Sequence, residues 1–306
     1  MYIGLAPVIE FDLDQGFVSI GDVIEHPTQE MLEPGKEYAL LMNRLPEDCR
    51  LDYLLEEQNN ASLCSHINIL TEHIANLHNH LSSTESSDAK VMQWGSYDQL
   101  YDKLQHNLAL LDLVPATDNY GEPATAQSSS ETLRWLKEML LKLFTQEDYR
   151  HYFEQRVQNG RIGLCHGDLK SLNIWIVPDC DSYNAAPARR IKILDAIDFN
   201  PSYCVVDILS DFAMLAIDVE VRTKSTSLAN EMIDYYLTLT GQHDDISRRV
   251  LGYYLVEKAI VCAAISIVYD DLPQLGRSLL EVAAKRLKAL QDMQPVPQQL
   301  ALAYSG

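Results

Sequence analysis

The first 45 residues alternate between apolar and polar positions, and turn-forming residues separate the apolar runs. This alternation predicts β-strands, because successive side chains of a strand point to opposite faces. The predicted strands cover residues 2–11, 17–20 and 38–45, with turns at 14–16 and 33–36. We therefore expect a small β-sheet at the start of the chain.

From residue 51 onwards, apolar residues recur every three or four positions, which predicts amphipathic helices. The predicted helices lie within residues 51–81, 97–113, 131–158, 205–220, 225–239, 246–268 and 272–293. Residues 115–130 are rich in proline, glycine, serine and threonine and predict a surface loop. Two short apolar runs, 172–177 and 191–197, flank a polar segment that contains Pro178 and Pro187. They predict a β-hairpin inside the helical region.

Composition narrows the possible classes of protein. The 306 residues carry 44 acidic and 24 basic side chains, a formal charge of −20. Such a surface repels phosphate backbones, so we expect no nucleic-acid partner. We expect no apolar stretch long enough to span a membrane, and the apolar start, residues 1–5, has the pattern of a strand and not of a signal peptide. No membrane partner is expected.

The six cysteines form no C-x-x-C pair. They stand at positions 49, 64, 165, 180, 204 and 262. Single, scattered cysteines in a chain of this size are typical of reduced, mostly buried thiols. They predict a cytoplasmic location.

The most informative motif lies between the helix predicted over residues 131–158 and the predicted hairpin. Residues 164–173 read LCHGDLKSLN and contain the pattern H-x-D-L-x-x-x-N. Kinase catalytic loops have this spacing, in which the aspartate is near the hydroxyl that receives the phosphoryl group and the asparagine binds a metal ion. The candidates are therefore Asp168 as the catalytic base and Asn173 as a ligand of Mg²⁺.

A second element follows on the next predicted strand, where residues 193–201 read ILDAIDFNP. Kinases hold another metal-binding carboxylate at the end of such an apolar strand. Both Asp195 and Asp198 stand near this position. We favour Asp195, because of its distance to Asp207, and keep Asp198 as the alternative metal ligand.

These elements, with glycine between His166 and Asp168 in place of the arginine of His-Arg-Asp, resemble the aminoglycoside phosphotransferase and choline kinase family. In that family a further aspartate follows the metal-binding one by about a dozen residues and opens a helix, and Asp207 stands in that relation to Asp195. Residues 74–78 are similar to the family's L-A-x-L-H helix pattern. The stretches 38–46, 194–201 and 208–215 resemble bacterial proteins described as aminoglycoside phosphotransferase family enzymes.

The resemblance implies an α+β protein-kinase-like fold with two lobes and a truncated β N-lobe. The N-lobe remnant and hinge would cover residues 1–46. A large, mainly helical C-lobe would cover 47–306 and contain the catalytic loop, 163–177, and the metal-binding strand, 191–201. The implied activity is ATP-dependent transfer of a phosphoryl group to the hydroxyl of a small molecule, with Mg²⁺ as cofactor and ATP as co-substrate.

The same resemblance implies roles for further residues. His166 would brace the catalytic loop, and Lys170 would serve the transferred phosphate. Asp207 would cap its helix and hold the catalytic loop in shape. The nucleotide's adenine would bind against the predicted strand and hinge, at Met42, Asn43 and Leu45.

Four acidic residues near the start of the following helix allow two interpretations. They would attract a cationic substrate, or they would form an exposed helix face once Asp207 is used as a cap. The four residues are Asp207, Asp211, Asp218 and Glu220.

The sequence departs from the family in its first part, which has no G-x-G-x-x-G motif and no lysine before Lys36. Lysine and a glycine-rich loop hold the nucleotide phosphates in kinases. We therefore expect weak nucleotide binding and slow or no turnover. The alternative function is an inactive pseudokinase or binding module. A third hypothesis is that the chain is a fragment with an exposed sheet edge.

Overall fold

The computed structural model describes residues 2–12, 17–57, 60–84, 93–114, 126–177 and 191–293. Within these ranges, helices and small antiparallel sheets combine in an α+β fold, which confirms the predicted class. The chain forms two compact units, Met1–Glu47 and Asp48–Gly306, called here the N-terminal and C-terminal units. The predicted turn at 14–16 and most of the predicted loop at 115–130 lie outside the described residues.

The N-terminal unit contains a three-stranded antiparallel sheet, which confirms the three predicted strands. Its strands are β1 (Tyr2–Asp12), β2 (Phe17–Ile20) and β3 (Tyr38–Met42). The long strand β1 lies in the middle, with Asp12 opposite Phe17 of β2 and Leu5 opposite Leu40 of β3. Strand β3 ends at Met42, three residues before its predicted end.

The C-terminal unit is mainly helical. Its described helices are α1 (Leu51–Glu57), α2 (Asn60–Thr84), α3 (Tyr97–Leu110), α4 (Ala126–Phe144), α5 (Glu147–Gln158), α6 (Pro201–Cys204), α7 (Ile208–Thr223), α8 (Thr226–Leu239), α9 (Asp245–Val268) and α10 (Pro273–Asp292). Four short strands of this unit form two antiparallel pairs. These are β4 (Ile162–Leu164) with β7 (Val205–Asp207), and β5 (Ile174–Ile176) with β6 (Ile191–Ile193).

The pair β5–β6 confirms the predicted hairpin, whereas β7 was predicted as the beginning of a helix. Val205 and Val206 are β-branched and suit a strand, and Val206 lies opposite Gly163 of β4. The helix begins one residue after Asp207, whose carboxylate accepts a hydrogen bond from the backbone N–H of Leu209 at 2.9 Å. Helix α7 therefore starts three residues later than predicted.

The single helix predicted over residues 131–158 is two helices, α4 and α5. The last turn of α4 closes at Thr145, whose hydroxyl donates to the carbonyl oxygen of Leu141 at 3.0 Å. Glu147 and Asp148 then lie in the first turn of α5, where negative charge stabilises the start of a helix. Helix α4 also begins at Ala126, five residues before the predicted start.

Helix α9 is the central helix of the C-terminal unit and packs against α7 and α10. By length and composition it is apolar enough to cross a membrane, so the prediction that no segment reaches this length is wrong. However, 72% of its most apolar stretch is buried inside the protein. This burial is expected of the core helix of a soluble protein.

Candidate functional site

The predicted catalytic loop connects β4 to β5, so each end of the loop is fixed by a strand pair. Gly167 lies in the middle of the loop with φ +82°, a conformation that side-chain-bearing residues rarely adopt. A Cβ atom at this position would lie 2.6 Å from the carbonyl oxygen of Tyr203. The path of the loop next to the predicted base therefore requires glycine.

Asp168 has two polar neighbours from its own loop. The Lys170 ammonium lies 2.8 Å from Oδ2 of Asp168. The Asn173 amide nitrogen donates to Oδ2 at 3.1 Å and to the Asp168 carbonyl oxygen at 2.9 Å. Burial alone would lower the pKa of Lys170, but the hydrogen bond and charge of Asp168 outweigh it and raise that pKa. Asp168 is thus held beside a permanent positive charge.

His166 braces the loop on the other side. Its Nε2 lies 2.8 Å from the carbonyl oxygen of Leu194, and its Nδ1 accepts from the backbone N–H of Asp168 at 3.3 Å. These two contacts fit the tautomer in which Nε2 carries a proton and donates to the Leu194 carbonyl oxygen. Both ring nitrogens are occupied, so the side chain positions the loop and is not available as a base.

Asp195 follows the hairpin and has φ +64°, which is unusual for a residue other than glycine. Such backbone strain is typical of positions with a functional role. The neighbouring backbone is tied to the loop, because Leu194 N–H donates to the Asn173 carbonyl oxygen at 2.9 Å and Ile197 N–H donates to that of His166 at 3.0 Å. The hairpin therefore sets the position of Asp195 relative to the catalytic loop.

The predicted acidic residues line one cavity of 580 Å³ in the C-terminal unit. Asp168, Lys170, Asp195 and Asp198 all contribute to its wall. Asp195 and Asp198 are exposed, and neither side chain makes a hydrogen bond or ion pair within the described part of the chain. Asn173 is buried behind Asp168 and does not reach the wall formed by the described residues.

These groups suit Mg²⁺ in chemistry, because that ion prefers oxygen ligands and takes only one or two from a protein. Two unpaired carboxylates, at Asp195 and Asp198, lie in the same wall as Asp168. The Asn173 amide nitrogen donates hydrogen bonds to Asp168. The amide oxygen of the same side chain makes no such bond and is the atom that would bind a metal ion.

Asp207 starts helix α7, as predicted, but it does not hold the catalytic loop. Its carboxylate forms a two-point ion pair with Arg156 of α5, at 2.6 and 2.7 Å, and both side chains are buried. Arg156 also donates to the side-chain oxygen of Gln242. Asp207 therefore joins α5 to the start of α7, and the prediction of its contact with the loop is wrong.

The loop contact belongs to Asp211, one helical turn further along α7. Its carboxylate accepts from the backbone N–H groups of His166, at 3.2 Å, and Gly167, at 2.8 Å. His78 of α2 lies 3.2 Å away through Nε2, and the Tyr236 hydroxyl is 2.7 Å from Nδ1 of His78. Burial would raise the pKa of Asp211, but the hydrogen bond from His78 and the Gly167 N–H outweigh it and lower that pKa.

Asp218 binds the same loop further on, where it accepts from the backbone N–H of Ser171 at 2.6 Å. Asp207, Asp211 and Asp218 are spaced by four and seven residues, so they lie on one face of α7. The sequence contains this signal: charged residues at helical spacing in a helix that is otherwise apolar and buried. Their regular spacing indicates fixed internal partners.

Neither interpretation of the four acidic residues is correct. Asp207 and Asp211 are used as described above, and Asp218 also pairs with Arg222 at 2.8 Å. Glu220 is buried and pairs with Arg286 at 2.6 Å. These carboxylates are neutralised inside the protein and form no exposed face that would attract a cationic substrate.

His78, Cys165 and Asp211 place their ligand atoms within 4.8 Å of one another, which is close enough for a metal ion. However, His78 and Asp211 already bind each other, the loop backbone and Tyr236. The Cys165 thiol lies 3.7 Å from the Val206 carbonyl oxygen. The hydrogen bonds account for this cluster as a brace of the catalytic loop.

The predicted adenine contacts belong to the N-terminal unit. Met42 ends β3 and is exposed, Asn43 is exposed and Leu45 is half-buried. The cavity described above is formed by the C-terminal unit without them.

Replacing Asp211 by asparagine is expected to destabilise the protein by about 1–3 kcal/mol, because an amide supplies fewer acceptors to two buried N–H groups. The measurement is urea unfolding at pH 7, with the exposed Asp234→Asn as control. Since the pKa of Asp211 is lowered, its stabilisation is present above its unfolded pKa and lost as pH falls through the folded value. This account would be contradicted if the difference in unfolding free energy between the variant and wild type stayed constant as the pH fell below the folded-state pKa of Asp211.

No protein-family model, no curated protein and no solved structure matches this chain. The assignment of function therefore depends on the geometry of the catalytic loop and the cavity.

Proposed function

We propose that the protein transfers the γ-phosphoryl group of ATP to a hydroxyl group of a small molecule, in a protein-kinase-like fold of the aminoglycoside phosphotransferase type. The observation that supports this most directly is the shared cavity of Asp168, Asp195 and Asp198, with Asn173 hydrogen-bonded to Asp168. Kinase sites need this set of groups in this chain order.

In the proposed reaction the acceptor oxygen bonds to the γ-phosphorus while the bond to the β–γ bridging oxygen breaks and ADP leaves. Asp168 accepts the proton of the hydroxyl. Lys170, 2.8 Å from Asp168, forms an ion pair with that carboxylate and would lie close to the transferred group. His166 and Asp211 fix the loop, so that Asp168 does not have to reorganise during the reaction.

Asp195 would hold Mg²⁺, and Asp198 is the alternative carboxylate. Asn173 is the second ligand that the resemblance implies, and its side chain, buried behind Asp168, would have to turn its amide oxygen toward the cavity to reach the ion. When bound, the ion would neutralise charge on the nucleotide phosphates. The strained backbone at Asp195 supports its choice over Asp198, because strain is retained where function requires it. The adenine would bind at Met42, Asn43 and Leu45 of the N-terminal unit.

We place the protein in the cytoplasm. The cysteines within the described ranges form no disulfide bond with one another, as is usual in a reducing compartment. They are Cys49, Cys64, Cys165, Cys204 and Cys262. Cys180 lies outside the described residues.

A second candidate is a binding module that retains nucleotide affinity without turnover. The strands β1, β2 and β3 contain no lysine, whereas kinases use a strand lysine to hold the nucleotide phosphates. Nucleotide binding without release of ADP would favour this candidate.

The test combines calorimetric titration with Mg-ATP and an ADP-release assay over a panel of hydroxyl compounds. Asp195→Asn is expected to lower transfer by about 10²–10³-fold, because a preorganised charge is lost. Asp198→Asn is the matched control, an equally exposed carboxylate in the same wall. We expect a much smaller loss in that variant.

Absence of both nucleotide binding and ADP release from the wild-type protein would refute the proposal. Equal losses in the two variants would refute the assignment of the metal to Asp195.

A further inference from the structure

The cavity beside Asp168 has a second, cationic side. Lys103 and Asn107 project from α3, and Glu257 and Lys258 from the facing helix α9. Asn107 donates to Oε1 of Glu257 at 2.9 Å, and Lys258 lies 3.9 Å from Oε2 of the same carboxylate. The Glu257 carboxylate therefore already has two partners, the Asn107 amide and the Lys258 ammonium, besides the nearby Lys103.

The charges in the wall do not balance on this side. Asp168 is paired with Lys170, and Asp207 is paired with Arg156. Asp195 and Asp198 also lie in the wall as carboxylates unpaired within the described part of the chain, but they are not among the groups that act on Lys103. On the α3–α9 side, Glu257 is the carboxylate that faces both Lys103 and Lys258. The α3–α9 side thus carries one positive charge in excess when both lysines are protonated.

Lys103 has little internal compensation for its charge. Among the described residues its ammonium makes one hydrogen bond, to the Val205 carbonyl oxygen at a long 3.5 Å. Burial and the positive charge of Lys258 lower the pKa of Lys103 to about 8, although Glu257 and Cys204 act in the opposite direction. The Lys103 ammonium has three donors and shares the one nearby carboxylate, Glu257, with Lys258, so an anionic group in the cavity would find donors there.

Tyr254 gives an independent sign of a missing partner. This residue also lines the cavity, and its buried hydroxyl has no hydrogen-bond partner among the described residues. Buried hydroxyl groups nearly always have one. Phe199 and Tyr203 add exposed aromatic surface to the same wall, which suits the C–H face of a sugar-like ring.

We infer that the acceptor is a polyhydroxy compound with an anionic group, a phosphate or a carboxylate, and that Lys103 binds this group. The identification of the compound as an acceptor rests on the proposed function. The preference for an anion rests on the α3–α9 side of the cavity, because Asp195 and Asp198 make another part of the same wall negative. Such an anion is opposite in charge to the cationic substrate that the four acidic residues, Asp207, Asp211, Asp218 and Glu220, were in one interpretation predicted to attract.

The test measures binding without nucleotide, by calorimetry at pH 7, for four matched probes: glucose, glucosamine, gluconate and glucose 6-phosphate. We expect at least one of the two anionic probes to bind more tightly than glucose and glucosamine. Comparing gluconate with glucose 6-phosphate distinguishes a carboxylate from a phosphate as the preferred group.

Lys103→Met is expected to weaken binding of the preferred anion by about 10- to 100-fold, since a charge-assisted hydrogen bond is lost. Lys288→Met, an exposed lysine of α10, is the control and should change nothing. Lys103→Met should also unfold at a higher temperature than wild type, because a poorly compensated charge is removed. That shift separates loss of binding from loss of folding.

Failure of both anionic probes to bind more tightly than glucose would overturn the inference. So would a loss of anion binding in Lys258→Met that is absent from Lys103→Met. ADP release with neutral or cationic acceptors alone would refute the anionic preference and leave phosphoryl transfer standing. Selective anion binding, dependent on Lys103 but without ADP release, would support the anion site and refute phosphoryl transfer.

Discussion

Asp168→Asn is expected to lower phosphoryl transfer by about 10²–10⁴-fold, the usual contribution of a general base. The asparagine side chain has the same shape and can still accept the hydrogen bond from Asn173, so the loop is expected to keep its structure. It cannot take up the hydroxyl proton. It also leaves the Lys170 ammonium without the carboxylate that now lies 2.8 Å away.

The measurement is kcat/KM from ADP release, together with the affinity for Mg-ATP from calorimetry. We expect the rate to fall much more than the affinity, because Asp168 acts mainly on the acceptor. Asp112→Asn is a matched control, since Asp112 also pairs with a lysine, Lys137 at 2.7 Å, but on the surface. An Asp168→Asn variant with an unchanged rate would remove Asp168 from the mechanism.

Arg156→Met is expected to destabilise the C-terminal unit by about 3–5 kcal/mol, the cost of leaving a buried charge without its partner. The Asp207 carboxylate is 0% exposed and would lose both hydrogen bonds from the guanidinium group. The measurement is urea unfolding at pH 7. Arg248→Met is the matched control: it breaks an exposed pair with Asp234, which is expected to contribute less than about 1 kcal/mol.

Adding Asp207→Asn to Arg156→Met should recover part of the lost stability, because the double variant no longer contains an unpaired charge. The recovery will be incomplete, since the asparagine amide would remain buried without the two hydrogen bonds that the Arg156 guanidinium donated. A double variant less stable than Arg156→Met would show that the buried charge is not the cause of the loss.

The sequence predicted best those features that depend on short stretches of chain. The hairpin follows from two apolar runs and the polar segment between them, and Asp168 and Asn173 contact each other because they are five residues apart in one loop. The three strands of the N-terminal unit follow from local alternation in the same way. Each of these features is fixed by neighbours in the chain.

Features that depend on distant partners were missed. The strand character of Val205 depends on pairing with Leu164, and an apolar run of this kind fits a helix equally well. Asp207 and Asp211 are one turn apart on α7, so only the position of the loop decides which of them binds it. The cationic side of the cavity requires Lys103 to approach the carbonyl oxygen of Val205, far away in the chain.

The pairing of β5 with β6 has a consequence for how this chain tolerates insertions. Asn173 and Leu194 are joined directly by a backbone hydrogen bond of 2.9 Å, and Ile174 lies opposite Ile193. The distance between Asn173 and Asp195 is therefore set across the strand pair and not along the 178–190 connection. Lengthening that connection costs only a slowly growing closure entropy. The strand pair should therefore hold Asn173 and Leu194 together when a reporter domain is inserted between positions 177 and 191.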